Sequence, residues 1–323
     1  MRMRVNDTIR ARTQDGNLAF FVNQLDNLDR RLYQPLVSVT WGRDIKLRED
    51  VTMAFESTSF IRSSFGGNGT LNSEGLPFIS QESTTLQGVS VDGEMITSPI
   101  HLLGREVSYS SVELERSQYL GRSIDSQKID ALNTMYQMAV DRMVYIGSSE
   151  VGAEGLLNSS QVTATQVING SGGTKAWNTK TADEILNDVN TLLDACWSAS
   201  AYAVCPDKLL LPPTQFSYIL SQKVSTAGNI SILQFLKENC ICNATNGRPL
   251  DIQPVKWLAG AGTGGDDRMV CYTNDINRVR FPMVPIRREM PYYKGINFIA
   301  PYIWAMGAVE FVYPETVRYA DSI

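Results

Sequence analysis

"GVSVDGEMITSPIHLLGREVSYSSVELERSQYLGRSIDSQKIDALNTMYQMAVDRMVYIGSSEVGAEGLLNSSQV", residues 88–162, carries strand and turn signals first and the best helix of the chain after them. Asp92-Gly93 lies between two apolar-containing runs and predicts a hairpin turn. Ser110-Ser111-Val112-Glu113 has the spacing of a capping box and predicts a short helix to about Leu120, interrupted by Gly121. From about Asp125 to Ile146, Ile129, Leu132, Tyr136, Ala139, Val140 and Met143 fall on one helical face, with Gly147 as the C-terminal stop. At about 1.5 Å per residue this is a rod on the order of 30 Å long.

Working outward from that block, "VTMAFESTSFI" (51–61) is rich in Val, Thr and Phe and predicts a strand, and "RSSFGGNGTLNSEG" (62–75) predicts a loop. Strand, loop and hairpin together bury little by themselves, so this excursion must lie on something else. Further upstream, Leu18, Phe21, Val22, Leu25, Leu28 and Leu32 form an amphipathic stripe. Downstream, "NGSGGTKAWNTKT" (169–181) reads as a glycine-rich break and a domain boundary. A helix then opens at Thr181 with Asp183 and Glu184 in its first turn and carries Ile185, Val189, Leu192, Leu193 and Cys196. "DKLLLPPTQF" reads as a buried strand leading into a helix, "NISILQFLKEN" as another helix, and the chain closes in strands.

Little in the chain resembles catalytic machinery. Gly260, Gly262 and Gly265 in "GAGTGGDDRMV" have the spacing of a dinucleotide loop, but Asp266 and Asp267 would repel a phosphate and a strand follows where a helix N-terminus is required. The expectation is a flexible loop between strands. His101 is the single histidine, in a strand-like "SPIHLLG", and no nucleophile elbow is present. Cys240-x-Cys242 has no second close pair, and Cys196, Cys205 and Cys271 stand at distances that match no zinc motif, so the five cysteines read as buried small residues. Glu49-Asp50 and Asp266-Asp267 read as solvated loop charges. No catalytic, cofactor-binding or metal residue is therefore assigned, and the protein is not expected to be an enzyme. A net charge of -5 over 323 residues gives no overall field for nucleic acid, and the local basic excess is Arg2, Arg4, Arg10 and Arg12. No run is apolar enough to span a bilayer or serve as a signal peptide, which predicts synthesis in cytosol and free thiols.

The order of elements, an N-terminal arm, a long hairpin excursion, a long helix, a mixed domain with a glycine-rich tip and closing strands, resembles the Hong Kong 97-type major capsid protein fold of tailed bacteriophages, shared with encapsulins. Residues 88–162 look like a block of one encapsulin-related phage capsid family, and "FIAPYIWAMGAVEFVYPETVRY" is similar to its C-terminus. The resemblance implies an α+β fold with residues 1–50 as N-arm, 51–99 as the extended E-loop, 100–180 as a peripheral domain with its spine helix at 125–146, 181–277 as an axial domain with its tip at 260–267, and 278–323 returning to the peripheral sheet. It implies a structural subunit that assembles with itself into hexamers and pentamers of an icosahedral shell around double-stranded DNA, with a scaffolding protein, a portal and a possible decoration protein as partners, made in the host cytoplasm and located in the virion. An encapsulin-like compartment holding a cargo protein is the alternative within the fold, and a nucleotide-dependent enzyme the alternative outside it. Some shells of this type are locked by a lysine to asparagine bond from the E-loop. From Leu47 to Gln127 this chain has no lysine, so no such crosslink is expected.

Overall fold

The computed structural model describes residues 36–68, 88–113, 115, 124–224 and 230–323. The elements in chain order are α1 (Trp41–Asp44), β1 (Lys46–Arg48), β2 (Ser57–Asn68), β3 (Gly88–Ser110), α2 (Ile124–Tyr145), β4 (Gly147–Ser148), β5 (Ala153–Glu154), β6 (Ala164–Gln166), α3 (Ala182–Ala199), β7 (Lys208–Leu211), α4 (Pro213–Ser221), α5 (Ile232–Asn239), α6 (Ile241–Asn246), β8 (Asp251–Pro254), β9 (Arg268–Tyr272), β10 (Val279–Arg288), β11 (Tyr292–Lys294), β12 (Asn297–Gly307), β13 (Glu310–Phe311) and β14 (Val317–Asp321). The predicted N-terminal stripe at 18–32 and the basic arm lie outside the described residues.

Seven strands make the first sheet, in the order β1-β10-β12-β3-β2, with β11 beside β12 and β13 beside β10. β12 runs antiparallel to β3 along its whole length, from Asn297 opposite Ser110 to Gly307 opposite Ile100. The long helix α2 buries Leu132, Tyr136, Val140 and Met143, the face predicted from sequence, and the edge of the Tyr136 ring meets Trp304 of β12 at 5.4 Å between centroids. Gly147 ends the helix at φ +76, and a Cβ there would come within 2.1 Å of the Ala153 carbonyl oxygen, so only glycine lets the chain turn back into β5. At Ser110 the short helix begins as predicted, with residues 111–113 helical and the Glu113 carboxylate accepting from the Ser110 amide. Most of its remaining span lies outside the described residues.

The structure corrects the hairpin turn. Asp92 and Gly93 sit inside β3, opposite Ser64 and Ser63, and β2 extends through residues read as loop to Asn68. Val89, Val91, Met95 and Thr97 keep a period of two straight through the dipeptide, and that period outweighs the local turn signal. Ile61 fills the space beside Gly93, its Cγ2 at 3.3 Å from where a Cβ would stand. The connection between β2 and β3 lies outside the described residues.

The second sheet, β6-β14-β9-β7-β8, carries α3 to α6 around its core. β14 pairs with β9 antiparallel and with β6 parallel, so the closing segment is divided: β10 to β13 belong to the first sheet and β14 to the second. The closing strands expected at 278–323 are present and are shared between the two sheets. All five residues of β9 and all four of β7 are buried, as expected for strands covered on both faces. The glycine-rich stretch at 169–181 is also more than a linker. Trp177 is fully buried and donates from Nε1 to Asp188 at 3.1 Å, and Lys180 pairs with the same carboxylate at 2.5 Å.

Helix α3 starts with a complete capping box between Thr181 and Glu184. Glu184 accepts from the amides of Thr181 at 2.8 Å and Ser171 at 2.7 Å, and these donors hold its carboxyl down at about 2. Because the folded value lies below the ordinary 4.5, the stabilisation is present above 4.5 and is lost as pH falls toward about 2. A Glu184→Gln variant is therefore expected to melt below the parent at neutral pH, with the gap closing over that acidic window in melts followed by circular dichroism.

Candidate assembly surface

The hairpin of β2 and β3 is built of paired residues whose side chains share a face, and the register places Ile61 opposite Met95 and Phe65 opposite Val91. With Val89 these form one apolar stripe whose members are 61% to 80% exposed. Odd-numbered residues of β3 carry the stripe, and the same parity supplies Val107 and Tyr109, which are buried beside Leu132 of α2. The stripe thus continues the core-facing side of the sheet beyond the end of this subunit's own core. An apolar run of this kind marks a contact surface.

The root of the hairpin is fixed firmly. Glu310, with a fully buried carboxylate, accepts from Arg280 Nε at 2.6 Å and Arg48 Nη1 at 3.1 Å. Arg62 donates to the carbonyls of Val312 at 3.2 Å and Phe311 at 3.3 Å, and the Arg280 guanidinium lies 5.7 Å from the Phe60 ring. β1, β10, β13 and the hairpin are held as one piece, so the stripe projects in a set direction.

Residues 40–45 are held by two buried carboxylates. Asp141, on α2, accepts the Thr40 amide at 2.9 Å, the Trp41 amide at 3.2 Å and Trp257 Nε1 at 2.7 Å. Asp44 accepts from Arg43 at 2.7 Å and 2.8 Å, lies 3.0 Å from the Lys208 ammonium and accepts from the Tyr145 hydroxyl. Burial first, and then the neighbouring Asp44 charge, raise the Tyr145 hydroxyl far above its ordinary range, so it remains a donor. This network spans α1, α2 and β7, tying the long helix to a strand of the second sheet. Sequence reading missed it. The available signal was Asp141 between Val140 and Met143, a charge within the helix's buried face.

The other singled-out residues do not converge. His101 lies in β3 opposite Met306, on a strand as predicted, with its Nε2 buried and without a hydrogen-bond partner. The five cysteines, read as buried small residues, are all buried in the core of the second sheet. Burial raises the Cys205 thiol and raises Cys271 well above its ordinary value. Among the described residues, no three His, Cys, Asp or Glu side chains form a group that could hold a metal ion.

The glycine loop is fastened, which corrects the flexible reading. Thr263 donates from its amide and hydroxyl to Asp321 at 3.0 Å and 3.1 Å, Gly260 N donates to Asp267 at 2.9 Å, and Ser322 donates to Asp266 at 2.5 Å. Arg268 closes the knot with a buried, two-point pair to Asp321. The acids that would repel a phosphate are used within the fold, Asp266 accepting from Ser322 and Asp267 from Gly260 and Gln215. Glu49 is exposed, and Asp50 is paired with Arg48 at 2.7 Å. No helix among the described residues is long and apolar enough to cross a membrane.

Comparison with solved structures finds the same fold in phage shells. The capsid of Myoviridae phage XM1 matches with a TM-score of 0.75 at 14% identity, covering 93% of this chain and 98% of that one. The capsid of a native GTA particle matches with a TM-score of 0.59 at 12% identity, over 92% and 95% of the two chains. Mycobacterium phage Ogopogo matches with 0.56 at 10% identity, over 90% and 94%. No curated protein matches the sequence. The family model described as "Major capsid protein" matches residues 77–323. A mixed helix and sheet subunit with an apolar hairpin reaching past its own core is thus a structural protein, and the chain belongs to the major capsid protein family.

Proposed function

We propose that this chain assembles with itself into hexamers and pentamers of an icosahedral shell around double-stranded DNA. The observation that carries the reading is the apolar stripe of the hairpin, fixed at its root and left uncovered by its own subunit. A second copy offers the repeated surface that would bury it, and repetition over many copies supplies the cohesion. In this reading residues 36–50 are the end of an N-arm, the hairpin is the E-loop, α2 is the spine of a peripheral domain, and the second sheet with α3 to α6 is the axial domain. Among Leu47 to Gln127 there is no lysine, so shell stability comes from contact area without an E-loop isopeptide bond. A scaffolding protein, a portal and a possible decoration protein complete the partner set, and the particle is built in the host cytoplasm.

Negative-stain microscopy and sedimentation of the purified chain test this. Rings of five and six or closed shells are expected, and shells recovered from cells should contain nuclease-protected double-stranded DNA when the packaging partners are present. A solitary subunit at every concentration and salt would overturn self-assembly, while shells filled with a protein cargo would overturn the DNA container.

A further inference from the structure

We propose that the end of the first sheet formed by β11 and its turn into β12 joins copies in neighbouring rings, meeting the same segment of another copy. The inference rests on the self-assembly reading and adds the contact that turns rings into a closed shell. Met290, Tyr292, Tyr293 and Ile296 are 87%, 47%, 78% and 68% exposed. Single exposed apolar side chains are ordinary, but four large ones in one short segment mark a contact surface. From Glu289 to Phe298 the charges are Glu289, paired with Arg287 at 2.6 Å, and Lys294. Low charge together with tyrosine and methionine is the composition of an interface core.

The segment is held in shape with these side chains in water. β11 pairs with β12 from Tyr292 opposite Ile299 to Lys294 opposite Asn297, and Gly295, at φ +63, makes the turn. The Ser111 amide donates to the Ile296 carbonyl at 3.2 Å, which ties the turn to the end of β3. The Tyr293 ring meets Phe298 at 5.2 Å between centroids, Phe298 meets Tyr109 at 6.3 Å, and the Lys128 ammonium lies 5.1 Å from the Tyr109 ring. This row runs from the core under α2 to solvent and stops at Tyr293, on a strand that pairs only with β12 among the described residues. A preorganised apolar end loses little freedom when another copy covers it.

Position separates this end from the hairpin stripe. Asn297 stands opposite Ser110, and Met95 is the stripe member of β3 nearest to it in the chain. At about 3.3 Å per residue, residues 95 to 110 place the two surfaces about 50 Å apart along the strand, so a neighbour seated on the stripe leaves this end open. The end also lies away from the second sheet. Lys128, near the start of α2, reaches the Ser108 carbonyl at 2.7 Å, whereas Asp141 and Tyr145, near its end, hold residues 40–44 beside β7. With the second sheet as the axial domain, this end faces outward from its ring, toward a ring whose own rim presents the same end. A ring closes where unlike surfaces meet head to tail, and a patch can meet itself about a symmetry axis between rings. Few charges suit such a contact, since like charges brought together repel.

The test compares the full-length parent with a Met290→Ser, Ile296→Ser double variant by sedimentation velocity and negative-stain microscopy. Both side chains are already in water and outside the aromatic row, so the melting curve of the unassembled chain by circular dichroism stays unchanged. Rings of five and six are expected to persist while closed shells fall about tenfold, one decade in the ring-to-ring association constant. In a second experiment a benzoylphenylalanine photocrosslinker at Ile296 is irradiated in shells of mixed isotope-labelled and unlabelled copies. The expected product joins position 296 to residues 287–298 of a different copy. Normal shells from the double variant overturn the contact, as do crosslinks confined to one copy or landing on the hairpin stripe or the second sheet. A folded double variant that forms no rings places this end inside the ring and also overturns it. A parent that never assembles removes the self-assembly reading itself, a result that no outcome for the variant can mimic.

Discussion

Replacing Asp44 with alanine is expected to destabilise the unassembled subunit by about 3–5 kcal/mol, the range for removing one member of a buried ion pair. The carboxylate is fully buried and serves Arg43, Lys208 and Tyr145 together. Its loss leaves the Lys208 ammonium, itself 4% exposed, with only Asp251 at 3.1 Å as a charged partner, on a carboxylate that is 43% exposed. Most of the effect comes from that stranded charge, so Asp44→Ala combined with Lys208→Met should recover part of it. Urea unfolding of the three variants provides the check. A single-variant loss below about 1 kcal/mol, the level of an exposed pair, would show that the network is decorative.

The second large effect is on assembly. Changing Ile61, Phe65, Val91 and Met95 together to serine should abolish shells while leaving the unfolding midpoint of the subunit within about 0.5 kcal/mol of the parent per position, as for surface substitutions. These side chains contribute little to their own subunit because they are already in water. Each buries its area only against another copy, where apolar burial contributes on the order of 25 cal/mol per Å². Sedimentation velocity separates the outcomes: folded, non-assembling subunits support the stripe, whereas normal shells would assign the cohesion elsewhere.

How much of this was legible in the sequence depended on whether the signal was local. The face of α2 was readable because Leu132, Tyr136, Val140 and Met143 repeat with the helical period. The Thr181 and Glu184 cap was readable because its partners stand three residues apart. The Asp92-Gly93 turn failed because a local dipeptide preference competed with a longer alternation and lost. Asp44, Asp141 and Lys208 could not be joined by reading along the chain, since Asp44 and Lys208 meet only after the sheets form. The glycine loop was read as a flexible connection between strands. Its anchoring to Asp321 stayed hidden because Thr263 and Asp321 are brought together by β9 and β14 pairing.

The placement of β12 and β14 has a consequence for the newborn chain. β12 lies between β3 and β10, pairing residue 100 with residue 307, and β14 lies between β6 and β9. Neither sheet can close until β12 and β14 have left the ribosome, and such distant pairings make folding slow. A truncated translation product cannot present a finished subunit to its neighbours, so the topology itself inspects each copy for completeness before it can enter the wall.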